Sequence, residues 1–128
     1  MKKLFLLSTY LLLLSGGVVS ATAPQPQPQA QAEIMHLLEF VQQSACQFNR
    51  NNTWYNGKDA RLHLKKKYDY LVKRGVIGKA EDFIEKAASQ RSVSGRAYQI
   101  RCRDGKIISS AQWFTEELQQ NRQHRMSK

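Results

Sequence analysis

The sequence has few of the side chains from which metal centres and redox sites are built. Its 128 residues include two cysteines and three histidines. Protein metal sites draw their ligands from short helical or turn spacings. Here His36, His63 and His124 are scattered, and neither a Cys-x-x-Cys nor a His-x-x-x-His pair occurs. We therefore expect no metal site and no cofactor.

Catalytic signatures are also scarce. A nucleophile-elbow hydrolase needs Gly-x-Ser-x-Gly at a strand-to-helix turn, but the sequence Ser-Val-Ser-Gly at 92–95 lies between a predicted helix and a predicted strand. The carboxylates at 81–82 and 116–117 are neighbours on predicted helices, where adjacent side chains point apart. The sequence predicts no catalytic residue and favours a non-enzymatic role, with an unrecognised envelope hydrolase as the alternative.

The segment 75–79, Gly-Val-Ile-Gly-Lys, lacks the length and the terminal hydroxyl residue of a P-loop. It also resembles the Gly-x-x-Gly loop of KH domains, which clamps a nucleic-acid backbone between two helices. However, Lys73 and Arg74 stand where apolar residues usually precede that loop, and the export predicted below argues against it. Nucleic acid is therefore disfavoured as a partner.

The sequence has no apolar run long enough for a membrane span. Residues 4–14 form an apolar run of 11 residues, whereas a hydrocarbon core needs about 20. Lys2 and Lys3 precede this run and small residues follow it, which is the three-part build of a signal peptide. We expect cleavage after Ala21, so that the mature chain begins at Thr22. The alternative is a permanent membrane anchor; our prediction is export, with the periplasm favoured and no transmembrane span after processing.

Acidic side chains are outnumbered, with 10 Asp and Glu against 20 Lys and Arg, a net charge of +10. Loss of Lys2 and Lys3 with a signal peptide over 1–21 leaves +8 on 107 residues, enough for one modest domain. Such a charge favours an anionic ligand, although it also keeps proteins soluble. We expect an envelope partner, which the sequence does not identify.

Prolines occur only at 24–28, within a Pro/Gln/Ala stretch over 22–32 that we interpret as a linker. A single domain is expected over 33–121, followed by a polar tail over 122–128. Apolar spacing predicts a helix over 33–43, with Glu33 near its positive end. Further helices are predicted over 58–73, from 81–82 to about 89, and after Ser109, which fits a capping box.

Alternating residues predict short strands near 46–48, 54–55, 98–102 and 107–108, with turns at 51–52 and 104–105. The fold class is therefore α+β, with a small antiparallel sheet packed against about four helices. We expect the core to contain the following side chains: Phe48, Leu64, Leu71, Phe83, Ile84, Tyr98, Ile100, Trp113 and Leu118.

Cys46 and Cys102 fall on two predicted strands that could pair in one sheet. An even number of cysteines in an exported chain indicates a disulfide, and closing a loop of this size would contribute about 4 kcal/mol. A redox-active thiol pair is the alternative. The wide separation of the two cysteines in sequence disfavours it.

Residues 38–118 contain a set of short motifs, each of which occurs once. They comprise Cys-Gln-Phe-Asn-Arg-Asn at 46–51, Ala-Glu-Asp-Phe-Ile at 80–84 and Ile-Arg-Cys at 100–102, together with Tyr55, Ala60, His63, Leu64, Lys67, Ala88, Ser89, Ser92, Ser94, Gly95, Tyr98, Gly105 and Trp113. In these motifs the chain resembles the YfeK-like family of small exported bacterial proteins, a domain of unknown function. The resemblance implies an envelope location, this fold and the Cys46–Cys102 bridge, but no reaction. The chain departs from the residues usual in that family at Asn49, Asn52 and Lys79. Lys79 stands where the family usually has a Thr helix cap.

Candidate binding residues are the polar members of the motifs and their neighbour at position 96, because packing accounts for the apolar members. They are Arg50, Asn51, Tyr55, His63, Ser92, Ser94 and Arg96. Each also has a structural interpretation, as a turn residue, a loop cap or a buried hydrogen-bonding group.

A second candidate surface is a basic face on the helix predicted over 58–73. Lys58, Arg61, Lys65 and Lys66 recur at helical spacing opposite the apolar stripe. Solvation of an exposed helix explains such a face equally well. The function predicted from the sequence is therefore an exported envelope binding or accessory module. The alternatives are the hydrolase already named and a basic module adhering to anionic lipid or nucleic acid.

Overall fold

The computed structural model describes residues 16–18, 23–90 and 94–128. The predicted cleavage site at Ala21 and the candidate residue Ser92 therefore lie outside the described residues. Within them the chain forms four α-helices and a four-stranded antiparallel sheet, so the predicted α+β class is confirmed. None of the described helices is both long and apolar enough to cross a bilayer.

The elements follow one another as α1 (Pro28–Gln43), β1 (Gln47–Arg50), β2 (Thr53–Tyr55), α2 (Gly57–Lys73), α3 (Ala80–Phe83), a π-helical segment (Ile84–Ala88), β3 (Gln99–Arg101), β4 (Ile107–Ser109) and α4 (Ser110–Met126). The strand order is β2-β1-β3-β4, and every neighbouring pair is antiparallel. The π-helical segment continues α3 directly, a widened turn that the apolar spacing did not predict.

Helix α1 begins five residues before the predicted start at Glu33. Pro28 occupies its first turn, where a missing amide proton costs nothing. Glu33 therefore lies in the second turn and not at the positive helix end. The residues before α1 lie against the loop that follows α2, because a Cβ added at Gly75 would come within 2.8 Å of Pro24 Cδ.

Helix α4 continues to Met126 through residues predicted to be a polar tail. Arg122 and Arg125 explain the extension, because both form ion pairs with Glu33 on α1. Basic side chains in the last turn also complement the partial negative charge of a helix C-terminus.

The core lies where α1, α2, α3 and α4 meet the inner face of the sheet. All the predicted core residues are buried except Leu71, which is partly buried and packs against the core. Phe83 and Phe114 meet edge to face with ring centroids 6.1 Å apart. Helix α1 supplies four fully buried side chains that the predicted core omitted: Ile34, Leu37, Leu38 and Val41.

Two local features fix the starts of the middle helices. Asn56 Oδ1 accepts from the amide of Asp59 at 2.9 Å and caps α2. At α3, Lys79 stands where a Thr cap was expected, and Asp82 Oδ2 instead accepts from the amides of Gly78 and Lys79 at 2.9 and 3.0 Å. Burial alone would raise the pKa of Asp82, but these amide bonds hold it below its usual value.

Cys46 and Cys102 form the predicted disulfide. Gln47 on β1 is directly opposite Arg101 on β3, so the two cysteines occupy the next opposed positions of the same ladder. Their Cα atoms are 4.1 Å apart. The bridge therefore extends the pairing of the two central strands.

Candidate functional site

A cavity of about 140 Å³ opens between the β1–β2 hairpin, the first half of α2 and the residues flanking β3 and β4. Its lining is mainly apolar and consists of Phe48, Asn49, Arg50, Tyr55, Asp59, Ala60, His63, Leu64, Tyr98 and Ser110. Three predicted binding residues, Arg50, Tyr55 and His63, are therefore brought together at one site.

The hairpin directs its side chains by strand alternation. Phe48 and Arg50 are two residues apart on β1 and share one face, and Tyr55 is directly opposite Phe48 in the ladder. Asn51 and Asn52 form the turn, with φ values of 56° and 63°, a left-handed conformation that asparagine tolerates better than most residues. The departure at Asn52 therefore preserves the hairpin.

Helix α2 contributes a row of polar residues at four-residue spacing. Asp59, His63 and Lys67 share one side of the helix, and the first two line the cavity. Lys67 lies one turn further along, where its Nζ donates to the carbonyl of Gln90 at 2.8 Å. The same ammonium lies 5.3 Å from the ring centroid of Tyr98, a cation–π geometry.

His63 is held in its neutral form by its surroundings. Burial, and then the positive charges of Arg50, Lys67 and Lys66, lower its pKa. Its Nε2 lies 3.4 Å from the hydroxyl of Tyr98, within hydrogen-bonding reach. Near neutral pH the imidazole therefore offers this cavity a hydrogen bond and no charge.

The pKa of Lys67 is lowered, as is that of His63. Burial, and then the charge of Arg50, lower the pKa of its ammonium group. The positive charge of Arg50 therefore acts on both His63 and Lys67.

The guanidinium of Arg50 is not neutralised by the protein. Its Nε is shielded from solvent and has no hydrogen-bond partner. In the part of the chain that the structure describes, Arg50 forms no ion pair. Asp59 lines the same cavity and likewise has no cationic partner among the described residues. Two opposite charges thus face one cavity without pairing with each other.

The remaining predicted binding residues do not line the cavity. Asn51 is exposed in the hairpin turn. Ser94 and Arg96 are exposed, and the Arg96 amide donates to Ser94 Oγ at 3.3 Å, a local loop contact.

Part of the positive charge on the predicted basic face of α2 is paired with a carboxylate. Lys65 Nζ donates to both carboxylate oxygens of Asp69, at 2.6 and 2.7 Å. Lys58 and Lys66 are exposed, whereas Arg61 is half-buried. The charges that lower the pKa of His63 come from Arg50, Lys67 and Lys66, and of these Lys66 belongs to the predicted face.

Sequence reasoning missed Asp59 and Lys67, and it assigned Tyr98 only to the core. Tyr98 is 8% exposed, so that assignment is correct, but the residue also lines the cavity. The four-residue spacing of Asp59, His63 and Lys67 was the available signal. The predictions for that helix covered the apolar stripe, the basic face and His63 alone, without the polar row to which His63 belongs.

The arrangement places charged and hydrogen-bonding groups beside apolar side chains. The part of the chain that the structure describes contains no cluster of three His, Cys, Asp or Glu able to hold a metal ion. Ser110 is the one serine among the residues that line the cavity, and its hydroxyl donates to the carbonyl of Ala88. Since Ser110 is also buried, its hydroxyl is not free for His63 to activate.

A family model places the chain among known proteins. The model for a family of unknown function, DUF5329, matches residues 28–122. The chain belongs to this family. The match extends from the start of α1 into the last turns of α4, and it includes both cysteines and every residue that lines the cavity. Searches of curated proteins and of solved structures found no match. The family description names no activity.

Proposed function

We propose that this protein is an exported, non-enzymatic binding module of the cell envelope, and that its cavity holds a small anionic ligand. The observation that carries the proposal is the guanidinium of Arg50, which has no ion-pair partner among the described residues and lies at a mainly apolar cavity. Charge-assisted hydrogen bonds from arginine to a carboxylate are among the strongest in proteins, and the planar guanidinium fork fits that group.

The remaining lining supports a ligand with an apolar body. The lining includes the apolar residues Phe48, Ala60 and Leu64 and two aromatic residues, Tyr55 and Tyr98. A dry cavity of about 150 Å³ is large enough for benzene, and this one is similar, at about 140 Å³. The ligand body is therefore about the size of a single ring or a branched aliphatic chain.

The envelope location is supported by the three-part start of the sequence, by the disulfide and by the resemblance to YfeK-like exported proteins. Sequencing the amino terminus of protein isolated from the producing cells should return Thr22. An intact Met1 on membrane-extracted protein would overturn the proposed export.

Binding is favoured over the hydrolase alternative. A lowered His63 pKa suits a general base, but the Ser110 hydroxyl in the same lining is buried and donates to the backbone. Among the described residues, the serine of the lining is therefore not available as a nucleophile.

The binding test compares two substitutions that remove the same charge. Titration calorimetry with benzoate and with phenylacetate should detect binding to the wild type and to Lys58→Gln, whose residue is exposed outside the cavity. The Arg50→Gln variant should bind at least about tenfold more weakly, because it loses a charge-assisted pair. Circular dichroism checks that each variant is folded. The proposal fails if folded wild-type protein binds neither acid, or if both variants lose affinity equally.

A further inference from the structure

The cavity presents one cation and one anion that do not pair with each other. Arg50 on β1 and Asp59 on α2 both contribute to its lining, yet no ion pair joins them. A binding site with two separated opposite charges is complementary to a ligand that carries the same two charges in reverse.

We propose that the ligand is a small zwitterion, an α-amino acid with an apolar side chain. This inference rests on the anion pocket proposed above. Its carboxylate binds Arg50, its ammonium group binds Asp59, and its side chain lies against Phe48 and Leu64. The cavity of about 140 Å³ admits a side chain of the size of leucine or phenylalanine.

Local structure keeps Asp59 available for this role. It lies in the first turn of α2, where the helix N-terminus favours a negative charge. The Asn56 cap engages the backbone amide of Asp59 and leaves the carboxylate out of that contact. Asp59 is exposed whereas Arg50 is half-buried, so the ammonium group binds at the mouth and the carboxylate binds further inside.

Charge balance distinguishes a zwitterion from simpler ions. With His63 neutral, the lining carries one positive and one negative charge. An acid without an amino group places its carboxylate close to the like charge of Asp59. An amine without a carboxylate is repelled by the cations whose charge lowers the pKa of His63, which are Arg50, Lys66 and Lys67. Only the zwitterion gives each charged lining residue an opposite partner.

The experiment uses ligands matched in shape. Calorimetry compares L-leucine with 4-methylpentanoate, which lacks the ammonium group, and with 3-methylbutylamine, which lacks the carboxylate. Leucine should bind at least about tenfold more tightly than either, as expected from the loss of one charged hydrogen-bonding pair. L-phenylalanine, 3-phenylpropanoate and phenethylamine form a second series with the same expected order.

Variants separate this inference from the proposed pocket. Asp59→Asn should abolish the preference for leucine over 4-methylpentanoate while keeping affinity for the acid, whereas Arg50→Gln should weaken both. Asp69→Asn, which removes an equal charge elsewhere on α2, should leave the preference intact. Equal binding of leucine and 4-methylpentanoate by the wild type would overturn the zwitterion but keep the anion pocket. If the protein binds no carboxylate at all, both proposals fail.

Discussion

Glu33 on α1 and Arg122 on α4 are 89 residues apart in the sequence, yet they form a two-point ion pair. Arg122 Nε donates to Glu33 Oε2 at 2.7 Å and Nη2 donates to Oε1 at 3.1 Å. Arg125 adds a third bond at 2.8 Å, and Arg122 also pairs with Glu81 on α3. Glu33 is only 3% exposed, so one buried carboxylate fixes the long terminal helix to the first one.

We predict that Glu33→Gln lowers the free energy of unfolding by about 2 kcal/mol, because the change removes hydrogen bonds between charged groups at a buried position. Urea denaturation monitored by circular dichroism measures it. Asp69→Asn is the control, since it breaks the exposed pair with Lys65 and should cost about 0.5 kcal/mol or less. Similar losses in the two variants would contradict the structural role of Glu33.

Local periodicity in the sequence predicted the helices and strands that depend on the spacing of neighbouring apolar residues. The spacing of Ile34, Leu37 and Val41 identified α1, and alternation around Cys46 and Cys102 identified the central strands. The role of Glu33 could not be found in this way, because its partners are remote in sequence. The start of α1 was misplaced for a related reason: a Pro/Gln/Ala composition is typical of a linker, but Pro28 fits the first turn of a helix.

The candidate site was predicted only in part. Arg50, Tyr55 and His63 were selected as polar members of a motif, and the fold brings them to one cavity. Asp59 was missed because it also suits the first turn of a helix, an adequate structural explanation in a sequence. Asp59 lines the same cavity as Arg50 because the β1–β2 hairpin packs on α2. The sequence of either segment alone does not determine this packing.

The crossing of α1 and α2 depends on Gly57. A Cβ added there would lie 2.3 Å from the carbonyl oxygen of Val41, a backbone atom with little freedom to move. Gly57→Ala should therefore destabilise the fold by about 2 kcal/mol or more, despite alanine's higher helix propensity. Thermal denaturation of Gly57→Ala and Gly78→Ala tests this, since an added Cβ at Gly78 makes only an ordinary 3.5 Å contact. A Gly57→Ala variant as stable as Gly78→Ala would contradict the close approach.

The disulfide closes a loop between residues 56 positions apart. In the chain-entropy model this constraint on the unfolded chain contributes about 4 kcal/mol, so reduction should lower the melting temperature markedly. Mass spectrometry of alkylated, unreduced protein should find neither Cys46 nor Cys102 modified. The double substitution Cys46→Ser and Cys102→Ser should melt like the reduced protein and be insensitive to reductant. Full alkylation without reduction would contradict the bridge.

The pKa of His63 should fall below 6.5, chiefly because of burial and then because of Arg50. The unfolded chain therefore binds a proton first as the pH falls. His63 contributes its full stabilisation above pH 6.5, and this contribution is lost as the pH falls through the lowered pKa. Imidazole NMR shifts give the titration midpoint, which Arg50→Gln should raise. Denaturation of His63→Gln should show a weaker loss of stability below pH 6.5; a midpoint at or above 6.5 in the wild type would refute the prediction.

Binding of anionic surfaces by the basic face of α2 can be tested separately from ligand binding in the cavity. Lys58, Arg61, Lys65 and Lys66 should hold the protein on heparin or anionic vesicles at low ionic strength. That retention should weaken as the Debye length falls to about 8 Å at physiological salt. Arg61→Glu combined with Lys65→Glu should abolish the retention, because it reverses two charges on one face. The same double variant should keep its affinity for small carboxylates, since neither residue lines the cavity. Unchanged retention of a folded double variant at low salt would exclude this face and leave the cavity beside Arg50 as the site for anions.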